Sequence, residues 1–141
     1  MCSSDLAFVS ACVEAIHSAA AGGGRLSLRG GGSKSFYGRP DADGVTALDL
    51  RSNEGIVDYE PTELVVTACG GTRLAVLQSV LAERGQMLAF EPPSFGESAT
   101  VGGMVACGLS GPRRAAAGAL RDFVLGMSIL DRKSTRLNSS H

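Results

Sequence analysis

Leu28-Arg29-Gly30-Gly31-Gly32-Ser33-Lys34 is the stretch from which the rest of the chain is read. Three consecutive glycines leave the backbone without side-chain bulk and with several N–H donors free to turn toward an anion. Leu26 and Leu28 alternate with polar neighbours, as a short strand entering such a loop does. A second small-residue stretch, Thr100-Val101-Gly102-Gly103, follows Pro92-Pro93 further along. Two such loops can clamp one extended, phosphorylated ligand, although neither is specific by itself.

Composition narrows the class. The 141 residues are 44% hydrophobic and 19% charged, a balance that suits one globular domain or a piece of one. A formal net charge of -1 offers no basic footprint, so nucleic acid is not an expected partner. The 19 glycines are clustered rather than periodic, which excludes collagen and flexible-linker readings. Cys2, Cys12, Cys69 and Cys107 lack C-x-x-C spacing and only two histidines accompany them, so no metal site is expected. Free thiols in a reducing compartment are expected instead. No apolar run has membrane-spanning length, and the start lacks a signal-peptide pattern. A cytoplasmic chain, peripheral at most, is the expectation.

Taken in order, Ser4-Asp5 can cap a helix with apolar positions Leu6, Val9, Cys12, Val13 and Ile16, ended by Gly22-Gly23-Gly24. Strands are expected at 45–50, 56–59 and 64–68, the last with Leu64, Val65 and Val66 as a buried apolar run. Gly70-Gly71-Thr72 reads chiefly as a tight turn into the clearest helix, with Thr72 as its N-cap, Leu74, Leu77, Val80 and Leu81 on one face, and Gly85 as its stop. A strand is expected at 87–90. Glu91-Pro92-Pro93 marks a subdomain boundary, Thr100 caps a short helix, and a final strand is expected over 122–130. Phe36-Tyr37 either packs beside a ligand or covers the loop. Arg113-Arg114 is either a solvated, ion-paired couple or faces an anion. The polar tail, 132–141, lacks periodicity and reads as a non-native addition.

Common catalytic patterns are absent. The dinucleotide fingerprint would need glycine where Ser35 stands, and there is no P-loop, nucleophile elbow or zinc-protease motif. His17 is the one histidine outside the tail, which leaves nucleophilic triads without a base.

Several stretches together carry a resemblance. They are 28–38 around the triple glycine, Gly55-Ile56-Val57-Asp58-Tyr59-Glu60-Pro61, Glu83-Arg84-Gly85-Gln86, Phe90-Glu91-Pro92-Pro93, Ala99-Thr100-Val101-Gly102-Gly103, Gly108-Leu109-Ser110-Gly111-Pro112-Arg113-Arg114 and Arg121-Asp122-Phe123-Val124-Leu125-Gly126. From about residue 9 to 131 the chain resembles the FAD-binding E subunits of bacterial glycolate oxidases. These are flavoproteins of the wider vanillyl-alcohol oxidase or PCMH type.

The resemblance implies an α+β fold of the PCMH type: a first FAD-binding subdomain at 7–90 and an incomplete second one at 91–131. It implies FAD held through Arg29, Gly30, Gly31, Gly32, Ser33 and Lys34 at the first loop. It places Thr100, Val101, Gly102, Gly103, Gly108 and Gly111 toward the pyrophosphate and flavin. Gly118 is expected to admit the cofactor closely, with Arg121-Asp122 fixing that turn. Ser33 occupies the position where some relatives carry a flavin-linking histidine, so non-covalent FAD is expected.

The implied activity is flavin-dependent oxidation of a small 2-hydroxy acid, glycolate to glyoxylate. The implied partners are a second FAD subunit and an iron–sulfur subunit at the inner face of the membrane. No residue is identified as a catalytic base, and the chain alone is expected to be inactive. The alternative is an accessory or structural flavin-binding subunit with no turnover of its own.

Overall fold

A computed structural model describes residues 3–130 and 137–140. Helix α1, Ser3–Ala21, carries the expected apolar spacing and stops at the glycine triplet. The amides of Gly22 and Gly24 donate back to the Ser18 and Ala19 carbonyls. Gly23 takes the left-handed conformation at φ 66° that lets the chain reverse. Cys12 is buried, and burial pushes its thiol pKa up.

Strand β1, Arg25–Arg29, pairs in parallel with β2, Val45–Asp49, in the register Arg25↔Val45 through Arg29↔Asp49. A parallel pair cannot be closed by a tight turn and needs a long crossover. Residues 30–44 supply it, so the triple glycine sits at the C-terminal end of β1. The Leu50 amide extends the ladder by donating to the Arg29 carbonyl at 2.8 Å.

Strands β3, Ile56–Glu60, and β4, Val65–Ala68, form an antiparallel hairpin with a register shift between Ile56 and Asp58. Its turn corrects one expectation: Leu64 lies outside the strand at φ 58° and is 76% exposed, while Val65 and Val66 are half-buried. The Glu60 carboxylate accepts from the Thr62 hydroxyl and amide across that turn, which lowers its pKa.

Helix α2, Leu74–Ala82, buries Leu74, Leu77 and Leu81. Its N-cap is Arg73, not Thr72. The Thr72 hydroxyl is instead turned inward, accepting from the Gly55 amide at 2.9 Å and donating to the Gly55 carbonyl at 3.0 Å, so it ties the helix start to the β3–β4 hairpin. Gly85 ends the α2 segment at φ 67°.

Residues 87–90 do not form the expected strand; Phe90 is 3% exposed and enters the core from a turn. That core joins Leu74, Phe90, Ala99, Met104 and Leu120, with Leu88, Val101, Val105 and Val124 packed against it. It therefore crosses the Glu91-Pro92-Pro93 stretch rather than stopping there.

Thr100 does cap α3, Val101–Cys107, accepting from the Gly103 amide at 3.2 Å. Gly108 closes α3 at φ 62°. Two four-residue helices follow, α4 (Arg114–Ala117) and α5 (Leu120–Phe123). The strand expected from 122 begins only at Met127, because Leu120 must enter the core on α5. Strand β5, Met127–Leu130, then pairs antiparallel with β6, Leu137–Ser140, which lies in the segment that the sequence reading sets apart. No helix among the described residues is long and apolar enough to cross a membrane.

Leu74 is 1% exposed, so Leu74→Ala should destabilise the protein by about 2–5 kcal/mol. Val76→Ala on the same helix, at a position 42% exposed, should stay within about 0.5 kcal/mol. Urea unfolding midpoints of the two variants measure the difference.

Candidate functional site

Three glycine-bearing segments meet at backbone distance. A Cβ on Gly30 would lie 2.7 Å from the Thr100 hydroxyl, and one on Gly31 would fall on the Ser98 carbonyl. On the other side of Thr100, the Gly102 amide donates to the Gly70 carbonyl at 2.7 Å, and a Cβ on Gly102 would stand 2.9 Å from that oxygen. The Leu74 amide donates to Ala99 at 2.7 Å and the Val101 amide to Thr72 at 2.8 Å, bracketing an antiparallel bridge between Arg73 and Thr100. Gly70-Gly71-Thr72 is thus the tight turn expected, with Gly71 also packed against the carbonyls of Leu50, Arg51 and Asn53.

The first loop remains chemically open. Among the described residues, the amides of Gly30, Gly31, Gly32, Ser33 and Lys34 have no hydrogen-bond acceptor. Gly32 adopts φ 69° with nothing near its missing side chain. Consecutive free N–H groups bent by a left-handed residue form a concavity suited to an anion. A half-exposed backbone of this kind satisfies its donors with water or with a ligand.

The side chains flanking those amides are already engaged. The Arg29 guanidinium pairs with the Asp41 carboxylate at 2.6 Å, and the Ser27 hydroxyl donates to the same oxygen at 2.8 Å. Hydrogen bonding from Ser27, then from Arg29, holds the Asp41 pKa below its ordinary value. Lys34 lies 5.6 Å from the centre of the Phe95 ring, which meets Phe36 edge-on at 5.4 Å. Phe36 therefore joins the loop to the segment before Thr100, while Tyr37 is 74% exposed. The sequence reading missed Asp41, Phe95 and the Ser98 carbonyl. Only a pairing across the loops reveals them, since no spacing rule links residue 29 to 41 or 34 to 95.

Gly108, Gly111 and Gly118 belong to a second cluster. Gly111 packs on Glu91, where a Cβ would stand 2.6 Å from the Glu91 carbonyl oxygen. The Glu91 side chain, on a residue held at φ 48°, pairs with the Arg113 guanidinium at 2.9 Å and accepts from the Arg113 amide. Arg113 is thus an ion-paired surface residue. Gly118 lies at φ 103° beside Asp122, whose carboxylate accepts from the Ala119 amide at 2.8 Å, as expected of a residue fixing that turn. The Ser110 hydroxyl accepts from the Leu120 amide at 3.1 Å.

A groove of about 470 Å³ lined by Gln78, Gln86, Met87, Pro92 and Pro112 also opens onto Glu91. Its carboxylate is taken by Arg113 and the Gln86 side chain by Tyr59 and Pro61, which leaves no reactive group there. Among the described residues, no group of three or more His, Cys, Asp or Glu is placed to hold a metal ion.

Residues 8–140 match the family described as FAD binding domain. The chain is 56% identical over 105 residues to glycolate oxidase subunit GlcE of Escherichia coli (strain K12), a match covering 74% of this chain and 29% of that protein. Among solved structures, an alkyldihydroxyacetonephosphate synthase shares the fold with a TM-score of 0.61 at 20% identity, over 82% of this chain and 22% of the other.

Two predictions follow from the loop contacts. Gly31→Ala must push the first loop off Ser98 and should cost about 1–3 kcal/mol, whereas Gly32→Asn, at a left-handed and open position, should cost less; thermal unfolding of the pair decides. The Asp41 tie should be complete above its ordinary pKa of 3.8 and be lost as pH falls through its lowered value. A carboxyl-carbon NMR titration should place Asp41 below 3.8, and Ser27→Ala or Arg29→Ala should return it upward.

Proposed function

The chain belongs to the FAD binding domain family, and from that premise we propose that it is the cofactor-holding part of a glycolate oxidase subunit. In this reading the complex oxidises glycolate, or a closely related 2-hydroxy acid, to the 2-oxo acid. A second FAD subunit and an iron–sulfur subunit complete it, in the cytoplasm against the inner face of the cell membrane. The likeness to GlcE supports the substrate class. The chain spans 29% of that protein's length, so the groups that touch substrate are sought in the remainder.

FAD is the cofactor of the family, and its isoalloxazine supplies the two-electron chemistry when bound. This chain's own contribution is to bind and orient. The observation that carries the proposal is the run of amides from Gly30 to Lys34 without acceptors among the described residues. They are donors enough for the FAD pyrophosphate. Arg29 takes part through its backbone, since its guanidinium is held by Asp41. Thr100, Val101, Gly102 and Gly103 face the ligand from across the loop contact. Their role is to keep the second wall close by presenting backbone rather than side chains. Gly108, Gly111 and Gly118 support that wall by shaping the turns behind α3. Ser33 offers no nucleophilic imidazole, so the flavin is bound without a covalent link.

A second reading keeps the flavin but not the turnover, making this an accessory subunit. It is favoured by the state of the ionisable groups at the first loop, where Arg29 and Asp41 neutralise each other and Lys34 rests on Phe95. None of them is poised to take a substrate proton.

The full-length protein should be yellow, and heat or acid precipitation should leave the flavin in the supernatant. Flavin retained in the washed precipitate would sink the non-covalent assignment. Anaerobic glycolate added to the assembled complex should bleach this subunit's flavin. Bleaching confined to the partner flavin would favour the accessory role.

A further inference from the structure

An anion seated on the amides of residues 30–34 calls for a compensating cation, since charge-assisted hydrogen bonds are the strong ones in phosphate recognition. Both cations of the 29–34 stretch are engaged, Arg29 by Asp41 and Lys34 by the Phe95 ring, while Arg39 lies further along the crossover. Arg73 is in a different state. It is exposed, and among the described residues its guanidinium has no hydrogen-bond or ion-pair partner.

Its position is nonetheless fixed. Arg73 pairs with Thr100 in an isolated antiparallel bridge, locked on either side by the Leu74–Ala99 and Val101–Thr72 hydrogen bonds. Directly opposed residues in an antiparallel pair carry their side chains on the same face. The Thr100 side chain on that face is the one that meets Gly30. The root of Arg73 is therefore held rigidly beside the glycine contact while its head is free. A planar guanidinium matches phosphate oxygens in two-point fashion and keeps its charge at any working pH.

We propose that Arg73 is the side chain that neutralises the FAD pyrophosphate in this protein, reaching it from the α2 side of the cleft. The inference rests on the flavin-binding reading and adds to it a residue outside both glycine loops. Arg84 is a natural control: it is exposed at the far end of α2, roughly 15 Å away at about 1.5 Å rise per residue.

The test is titration of the full-length apoprotein with FAD, ADP and riboflavin, followed by flavin fluorescence and, for ADP, calorimetry. Arg73→Gln should weaken FAD and ADP about tenfold, leave riboflavin unchanged and flatten the salt dependence of FAD binding. Arg73→Lys should recover part of the loss, and Arg84→Gln should match wild type. Because the Arg73 guanidinium has no partner among the described residues, the apoprotein Tm of Arg73→Gln should equal that of wild type; a lowered Tm would mark a structural residue and count against the proposal. Unchanged FAD affinity in Arg73→Gln, or a loss shared equally by riboflavin, overturns the role of Arg73 while leaving the flavin reading intact. A wild-type protein that binds neither FAD nor riboflavin overturns that reading and this inference together.

Discussion

The structure depends on close approach to glycine backbone where no added side chain fits. Gly31 lies against the Ser98 carbonyl, Gly30 against the Thr100 hydroxyl and Gly102 against Gly70. Interiors are packed too tightly to absorb even one added methyl group at such points. These three contacts bring the end of β1, the start of α2 and the start of α3 to one place. The apolar core of Leu74, Phe90, Ala99, Met104 and Leu120 holds α2 and α3 in the relative position that the contacts require.

The glycines divide by physical cause. Gly31, Gly71, Gly102 and Gly111 are there because a Cβ would collide with a neighbouring carbonyl. Gly23, Gly85 and Gly108 have open space around them and are there for left-handed turns at helix ends. Gly32 is of the second kind, but it lies in the first loop, among amides that have no acceptor among the described residues. A single glycine-rich appearance therefore covers both close packing and left-handed turning.

Charge is arranged to leave the first loop's side chains occupied and its backbone available. Asp41 draws Arg29 away, and Glu91 draws Arg113 onto the turn that carries Gly111. The paired side chains are largely solvent-exposed, so their value is orientation more than stability. In the proposed reading, recognition of the flavin nucleotide's phosphates falls on main-chain donors, which cannot change rotamer, and on Arg73, whose root is fixed by backbone hydrogen bonds.

Much of this was legible in the sequence. Helical spacing from Leu6 to Ile16, glycine stops at 22–24 and 85, the Thr100 cap and the four strand positions before α2 all follow from local rules, because their causes lie within a few residues. So did the family, through the density of motifs from 28 to 126. What local rules could not decide were positions settled by distant partners. Thr72 has the chemistry of an N-cap but is taken by Gly55; Phe90 sits in a strand-like run but is drawn into the core; Leu120 forces a helical turn where alternation suggested a strand. The same holds for the site. Local sequence could narrow the candidate loop to a glycine run, but not choose between runs: the amides of Gly22, Gly23 and Gly24 are bonded back to α1, whereas those of 30–34 have no acceptor among the described residues. Which cations are engaged, where an unengaged one is anchored, and which glycines touch one another were decided by tertiary structure, because each depends on a partner remote in the chain.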